Sequence, residues 1–297
     1  MKFIYLLMLL IFPAVSFCQD QDDFTKRLKA IKNQSTTYYN IDGIEFTSET
    51  YNDAFAEKGL KKIYKRFSIK DTDAKIKDEV LAFNNLNVTK TEKLTDELSE
   101  INSYYILENK NKTISVIWFG FYNKADKEFE RKYVSRILND EIPPSVFEAV
   151  SIDSVDFAGR KMTIGNKCYW ANINSIQCPY DGQMNWSVHK SMESAQTALK
   201  NQLSVTKSKK GVKVSAEEEV EVIFEGVATK AKRIIYDFSG LKSLLAGASG
   251  GKNLTVYYVA SPVRGNYVSC VMSFWNNDNI SAKGLTPLLE KVMALKN

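Results

Sequence analysis

Apolar and polar positions in the first part of the chain predict two short strands between two helices. The apolar residues of 55–67 recur three and four positions apart, which predicts an amphipathic helix. The segments 37–40 and 44–47 have strand character and flank the turn residues Asp42 and Gly43. A further short helix is predicted over 24–32, where apolar positions alternate with charges.

A stronger strand signal follows in the middle of the first half. The segments 104–106 and 114–122 are rich in Tyr, Ile, Val, Trp and Phe, the residues that suit a buried pleated surface. The polar break between them predicts a hairpin. An apolar stripe over 129–138 then predicts a helix that ends before Pro143 and Pro144.

The second half repeats this order of elements. Ser191 is placed to cap a helix with an apolar stripe to Leu203, and Thr286 and Pro287 are favoured residues at the start of a last helix. Between the two helices, the pattern predicts strands at 212–215, 219–225, 230–238, 257–259 and 267–275.

The two aromatic hairpins can be aligned with a one-residue gap. The segment SYYILENKNKTISVIWFGFY then matches VYYVASPVRGNYVSCVMSFW, pairing Tyr104 with Tyr257, Tyr105 with Tyr258 and Ser115 with Ser269. This predicts a tandem duplication of one α+β unit, the alternative being a single large α+β domain. The expected organisation is a signal peptide at 1–18, a first unit at 19–142, a linker at 143–155 and a second unit at 156–297.

The order of elements implies, for each unit, an antiparallel sheet flanked by helices in an α/β/α sandwich. Over Asn174 to Leu295 this layout resembles the PsbP-like α/β/α sandwich domains. The resemblance rests on the hairpin, the three long strands and the helices, and it matches no functional motif. It implies a non-catalytic exported or assembly-related domain.

The N-terminus has the features of a secretory signal peptide. Lys2 precedes an apolar run of ten residues, which is too short to cross a bilayer. Ser16 and Cys18 suit cleavage before Gln19, which predicts a periplasmic or secreted protein with no membrane span after processing. Acylation of Cys18, giving a lipid-anchored envelope component, remains an alternative, although Phe17 does not fit a lipobox.

Composition and charge exclude several functional classes. The 297 residues are 44% hydrophobic and 25% charged, which is a globular composition. The net charge of +5 is dispersed and predicts no nucleic-acid partner. A single histidine argues against a histidine-based metal site, and the chain has no nucleotide-binding loop, so no metal and no cofactor are expected.

Ser187 and His189 are the candidates for catalysis, because they lie two apart on a predicted strand and point to one face. If Asp181 and Gly182 form the centre of a two-residue turn, Ile176 lies opposite Ser187 and Asn174 lies opposite His189. Neither partner is an acid, so a triad is not predicted. The same register places Cys178 opposite Asn185, too far from His189 for a dyad.

Three cysteines remain after signal cleavage. In an oxidising compartment an odd number indicates one disulfide and one free thiol. Cys168 with Cys178 is the preferred pair, because it would staple the entrance to the second unit. Cys270 alternates within an apolar strand and is interpreted as a buried residue.

Aromatic residues are the remaining candidates for ligand binding. Tyr105, Trp170 and Tyr258 each belong to a pair of adjacent aromatic residues that could place one ring at the surface as a stacking platform, and Trp186 is a fourth candidate. With the chemistry above, these residues predict an exported non-enzymatic binding or structural protein whose partner is a protein or envelope component. An exported hydrolase using Ser187 and His189 is the alternative.

Overall fold

A computed structural model describes residues 24–150, 152–209, 212–238 and 251–296. The predicted signal peptide and Cys18 lie outside the described residues. The described chain forms two large antiparallel sheets, one in each half, and a small two-stranded sheet between them in sequence. The fold is thus mostly antiparallel β-sheet, with four α-helices in the described part of the chain.

The first sheet has six strands in the order β1-β2-β3-β6-β5-β4. Helix α1 lies between β3 and β4 in sequence, and helix α2 follows β6. The elements are β1 (Lys29–Asn33), β2 (Thr36–Ile41), β3 (Ile44–Ala54), α1 (Glu57–Arg66), β4 (Asn85–Lys93), β5 (Ser99–Glu108), β6 (Thr113–Tyr122) and α2 (Lys127–Leu138).

The two faces of this sheet have separate cores, as the two-residue alternation of strands requires. On one face, Ile106, Ile114 and Val116 pack with the apolar stripe of α1 around Ile63. On the other face, aromatic rings of the sheet pack with α2. This second core contains Tyr39, Phe46, Tyr105, Phe119 and Tyr133.

The second sheet has eight strands in the order β16-β12-β13-β14-β15-β11-β10-β9, and β7 pairs with β8 in the small sheet. The elements are β7 (Ser154–Phe157), β8 (Arg160–Thr163), β9 (Tyr169–Asn172), β10 (Ser175–Cys178), β11 (Gly182–His189), α3 (Met192–Ser208), β12 (Lys213–Phe224), β13 (Val227–Asp237), β14 (Asn253–Val263), β15 (Asn266–Trp275), α4 (Pro287–Glu290) and β16 (Met293–Leu295).

Each large sheet is built in the same way. A three-stranded antiparallel unit (β1–β3 or β9–β11) precedes a helix, and a strand that follows this helix (β6 or β15) pairs with the third strand of the unit. The aromatic strands β6 and β15 therefore occupy equivalent positions, beside β3 and β11. The sequence alignment nevertheless pairs residues that lie on different faces of the two sheets. Tyr104 packs on the α1 side, whereas its aligned partner Tyr257 faces away from α3, and Tyr258 packs with α3 instead.

Two helix predictions are wrong in extent or type. Residues 29–32, predicted as part of a helix, lie in the strand β1, because pairing with β2 buries the adjacent residues Ala30 and Ile31 at the edge of the first sheet. The last helix is only Pro287–Glu290. After it the chain forms β16, which pairs with β12 and places Met293 in the core.

The predicted linker 143–155 belongs to both halves. The backbone N–H of Glu148 donates to the carbonyl of Ala30 (2.8 Å) at the edge of the first sheet. Ile152 and Val155 pack in the core of the second sheet. The connection is therefore packed against the domains it joins rather than running free in solvent.

Candidate functional site

The two halves meet at the β2–β3 turn. The Asp42 carboxylate accepts hydrogen bonds from the Arg27 side chain and from the backbone N–H of Lys190, both at 2.9 Å. Gly43 has a φ of 78°, and a Cβ there would lie 3.0 Å from Cε1 of His189. Glycine at this position allows the turn to close directly on the imidazole.

Side-chain hydrogen bonds extend this contact between the halves. Ser187 Oγ donates to Asn40 Oδ1 at 3.1 Å, and Asn172 Nδ2 donates to Glu45 Oε2 at 3.0 Å. Asn40 and Glu45 are directly opposite each other on β2 and β3, on the side of the sheet that also carries α1. The second half thus covers part of a face that α1 leaves open.

Beside this contact lies a cleft of about 510 Å³ between the open face of the first sheet and the first turns of α3. It exists because α1 covers only one end of the face. Ile114 and Val116 lie under α1, whereas Trp118, Gly120 and Tyr122 continue the same face of β6 beyond it. The sheet side is lined by Asp42, Gly43, Ile44, Glu45, Glu100, Trp118, Gly120, Phe121 and Tyr122, and the α3 side by Ser191, Glu193, Ser194, Thr197, Ala198, Asn201 and Gln202.

Trp118 lies along the floor of the cleft. Its Nε1 donates to Asn102 Oδ1 at 2.7 Å. A Cβ at Gly120 would lie 2.9 Å from Cζ2 of the indole, so the ring packs against the bare backbone of residue 120. Glycine inside this strand therefore creates the space for a flat aromatic surface.

The cleft is acidic. Asp42, Glu45, Glu100 and Glu193 line it, and none of its described lining residues is lysine or arginine. Asp42 is paired with Arg27, but within the described ranges Glu45, Glu100 and Glu193 have no ion-pair partner. Burial raises the pKa of Glu45, an effect that the Asn172 amide partly offsets. Burial and the nearby carboxylates of Glu100 and Glu45 also raise the pKa of Tyr122.

His189 is enclosed behind the α3 wall of the cleft. Its Nε2 is 2.8 Å from Ser269 Oγ and its Nδ1 is 3.2 Å from Ser194 Oγ. Burial lowers the pKa of His189 to about 4, although the nearby Asp42 acts in the opposite direction. The ring is therefore neutral near pH 7 and is held by two hydroxyl groups.

The side chains of the candidate pair Ser187 and His189 are hydrogen-bonded to other residues rather than to each other. Ser187 is bonded to Asn40, and the imidazole is bonded to Ser194 and Ser269. In the described ranges no carboxylate oxygen is hydrogen-bonded to the ring. The arrangement lacks the orienting acid of a catalytic triad.

The predicted register of the β10–β11 hairpin is wrong. Cys178 pairs with Gly182 and Ser175 with Asn185, so three residues, not two, form the loop. Tyr180 supplies positive φ within the loop and Gly182 takes a φ of 105° at the start of β11. The longer loop moves every cross-strand pair from its expected position, and the residues expected opposite Ser187 and His189 are not their partners.

Three of the four aromatic candidates are core residues rather than stacking platforms. Tyr105, Trp186 and Tyr258 are at most 4% exposed. Tyr105 donates to Glu130 at 2.8 Å, and Tyr258 shares a hydrogen bond with Tyr236. Trp170 is half-buried, and its Nε1 donates to the carbonyl of Ala149. Burial is favoured because each strand that carries them is covered on the face to which they point.

The aromatic residues that do face a cavity, Trp118 and Tyr122, were not singled out by the sequence. The available signal was Gly120, an isolated glycine within an aromatic strand, which often indicates close approach of another group to the backbone.

The cysteines of the described chain do not line the cleft. Cys168 and Cys178 form a disulfide, with their Cα atoms 4.2 Å apart, and Cys270 is a buried free thiol whose pKa is raised by burial. Within the described segments, no group of three or more His, Cys, Asp or Glu side chains is arranged to hold a metal ion. None of the helices in those segments has the length and apolarity to cross a membrane.

Comparisons with known proteins give little information. No protein-family model and no curated protein match the chain. It is similar to the di-domain ARO/CYC StfQ from the steffimycin biosynthetic pathway, at 10% identity over 90% of this chain and 82% of that one, with a TM-score of 0.17. DynU16, from the dynemicin biosynthetic locus, matches at 7% identity over 88% and 78% of the respective chains, with a TM-score of 0.18. Scores this low support no conclusion about fold or activity.

Proposed function

We propose that this protein is an exported, non-enzymatic binding protein that holds a cationic group in the cleft between its halves. The observation that carries this proposal is the lining of the cleft. Three carboxylates without ion-pair partners in the described ranges face an aromatic floor, and no described lining residue is basic.

A cationic ligand fits this lining on two grounds. Carboxylates such as Glu100 and Glu193 attract a positive charge, and their attraction is stronger in a partly enclosed site than in water. The faces of Trp118 and Tyr122 attract the same cation through the ring quadrupole. A primary amine or guanidinium, such as a lysine or arginine side chain of a partner protein, can interact with both the carboxylates and the aromatic rings of this site.

The surroundings of His189 support a binding role over a catalytic one. A general base works best when its pKa lies near the working pH, and this imidazole has a pKa of about 4. Its nitrogens are hydrogen-bonded to the hydroxyl groups of Ser194 and Ser269, and the backbone of Asp42 is a further partner of the ring. A structural histidine that joins α3 to β15 accounts for these contacts.

The fold proposal is a tandem pair of related α/β/α units similar to the PsbP-like group. The common order of a three-stranded unit, a helix and a second group of strands in the two sheets supports duplication. Packing of α1 and α2 against opposite faces of the first sheet supports the layered arrangement. The non-catalytic character of that group agrees with the proposed binding role.

Titration with short peptides tests the proposed function. Tetralysine is expected to bind with an affinity that falls as salt rises, and tetraglutamate is not. Glu100→Gln and Glu193→Gln should each weaken tetralysine binding several-fold in calorimetry, and Gly120→Val should weaken it by displacing the Trp118 ring.

Glu221→Gln is the matched control, because it removes one exposed negative charge from β12, far from the cleft. Equal binding of tetraglutamate would contradict the proposal. So would an effect of Glu221→Gln as large as that of Glu100→Gln.

A hydrolase remains the second candidate, with Ser194 in place of Ser187. Ser194 lines the cleft, and its Oγ is 3.2 Å from Nδ1 of His189. A fluorophosphonate probe, which labels activated serine nucleophiles, would distinguish the two functions. Labelling of the native protein but not of Ser194→Ala would favour the hydrolase, whereas no labelling favours the binding protein.

Export is proposed from the sequence of residues 1–18, and the intact mass of the protein recovered from the producing cell tests it. A mature chain that begins at Gln19 supports a periplasmic or secreted protein. A diacylglyceryl adduct on Cys18 would instead establish a lipid-anchored envelope component.

A further inference from the structure

A second groove lies on the opposite face of the first sheet, beyond the C-terminal end of α2. Under α2 this face carries Phe46 and Phe119, but past Leu138 the same face of the same strands carries hydroxyl groups. Because every second residue of a strand points to the same face, these hydroxyl groups form a continuous row. We call it the hydroxyl groove and define it by Thr37, Tyr39, Ser48, Thr50, Asn109 and Ser115.

The strand register brings the hydroxyl groups into cross-strand pairs. Thr37 of β2 is directly opposite Ser48 of β3, and Thr50 of β3 is directly opposite Ser115 of β6. Asn109, in the β5–β6 turn, donates from Nδ2 to Ser115 Oγ at 3.1 Å. The floor of the groove is therefore an ordered grid of donors and acceptors.

Of these hydroxyl residues, Thr37, Tyr39 and Ser115 are buried, Ser48 is half-buried and Thr50 is exposed, and the groups are only weakly bonded to each other. Ser115 is 6% exposed and Thr37 is 9% exposed, although polar side chains are usually found in solvent. The oxygen atoms of Tyr39 and Ser48 are 3.3 Å apart, and those of Thr50 and Ser115 are 3.4 Å apart. Hydroxyl hydrogen bonds are typically about 2.7–2.8 Å long, so these groups retain capacity for another partner.

The walls of the groove combine polar and apolar groups. The volume above the floor is about 460 Å³. Lys110 forms an exposed ion pair with Asp140 at 2.8 Å on one side, and Lys32 also lines the groove. Phe147, which is 37% exposed, and Ile142 supply apolar surface on another side.

We infer that the hydroxyl groove is a saccharide-binding site, separate from the cation cleft. A sugar ring presents hydroxyl groups that both donate and accept, which the floor can match, and C–H faces that pack on a ring such as Phe147. Lys32 is the one charged lining residue in the described ranges that the Lys110–Asp140 pair leaves without an offset, and the row of hydroxyl groups on the floor exceeds what a simple anion needs. Its polar floor disfavours an apolar ligand.

Saturation-transfer NMR and calorimetry with cellohexaose, maltohexaose and chitohexaose test the inference on the full chain. At least one of the three oligosaccharides is expected to bind. Thr50→Val, which keeps the side-chain shape but removes the hydroxyl, and Phe147→Ala should each weaken binding tenfold or more. Thr91→Val makes the same change at an exposed position on β4, the far edge of the sheet, and should leave binding unchanged.

Each result has a defined meaning. Failure of all three oligosaccharides to bind would overturn the inference, as would equal losses for Thr50→Val and Thr91→Val. Binding of inorganic phosphate in the same groove, with no binding of any sugar, would identify an anion site instead. Glu100→Gln should not change saccharide binding, so failure of the cleft proposal and failure of this one are distinguishable.

Discussion

At the scale of single residues, the environment of His189 is made by both halves of the chain. The Asp42–Gly43 turn packs on the Cε1 edge of the ring, and Ser194 and Ser269 contact its nitrogens. Burial outweighs the favourable field of Asp42 and lowers the pKa. Because protonation of the buried ring is unfavourable, the free energy of unfolding depends on whether the pH favours the protonated form.

The free energy of unfolding should depend on pH through His189. Its pKa is about 4 in the folded chain and 6.5 when unperturbed, so the unfolded chain binds more protons between these values. Stability from this group is present above about pH 6.5 and is lost as the pH falls towards 4. Urea unfolding at pH 7 and pH 5 should show a loss of roughly 2 kcal/mol that His189→Asn lacks.

The difference between the native protein and His189→Asn isolates this effect, because carboxylates titrate equally in both. His189 is the only histidine in the chain. An identical pH dependence in the two proteins would show that the ring is not held neutral.

Gly182 should tolerate a side chain much less well than Gly265. Both have positive φ, at 105° and 76°, and alanine at either site should cost about 1 kcal/mol for the backbone conformation. A Cβ at Gly182 would also lie 2.6 Å from Thr286 Oγ1 and 2.9 Å from Leu289 Cδ1, whereas none of the described atoms lies within 4 Å of one at Gly265. Gly182→Ala should therefore destabilise by about 1–3 kcal/mol more in urea unfolding. Equal losses would contradict this packing.

At the scale of elements, the β10–β11 hairpin is bordered by the Cys168–Cys178 disulfide, which links the start of β9 to the end of β10. These strands are short and lie at the edge of the second sheet. A covalent link compensates for the small number of ladder hydrogen bonds that such strands form.

Removing the disulfide should destabilise the protein measurably. The cysteines are 10 residues apart, and a closed loop of that size stabilises by about 2–3 kcal/mol in the chain-entropy account. Cys168→Ser with Cys178→Ser should lower the urea midpoint, and dithiothreitol should then have no further effect. In Cys270→Ala, which keeps the disulfide, dithiothreitol should still lower the midpoint; if it does not, the bond contributes no stability.

The sequence predicts elements with strong local patterns and misses those that depend on distant pairing. The helix α1, the Asp42–Gly43 turn and the strands β6 and β15 follow from periodicity and turn residues, and the structure confirms them. β1 and β16 are strands because β2 and β12 supply partners, which no local pattern reveals. The cation cleft is assembled from β3, β5, β6 and α3, which are distant from each other in sequence. The isolated glycine Gly120 is therefore the one local sequence signal for it.

At the scale of the whole molecule, the contacts between the halves are mainly polar. Lys29 pairs with Asp156, Asn40 with Ser187, Glu45 with Asn172, and Asp42 with the backbone of Lys190. Each large sheet retains its own apolar cores. Such an interface resembles one between domains that fold separately and then dock.

The single histidine should report this docking directly. In a segment of residues 152–297, the Asp42–Gly43 turn is absent and the ring of His189 gains access to water. Its pKa should then rise from about 4 towards 6.5, since burial is the main cause of the low value. NMR titration of the ring protons measures this, after circular dichroism has established that the segment is folded.

A parallel measurement on the full chain avoids dependence on the segment. A Cβ at Gly43 would lie 3.0 Å from His189 Cε1 and 3.3 Å from Ala198 Cβ, so Gly43→Ala should push the turn away from α3 and also raise the pKa of His189. Gly159→Ala, at another positive φ with none of the described atoms within 4 Å, is the matched control and should leave the pKa at about 4. A pKa that stays low in the folded segment and in Gly43→Ala would mean that the second half buries the ring alone. The halves would then contribute separately to the cation cleft, without the close contact that shapes it here.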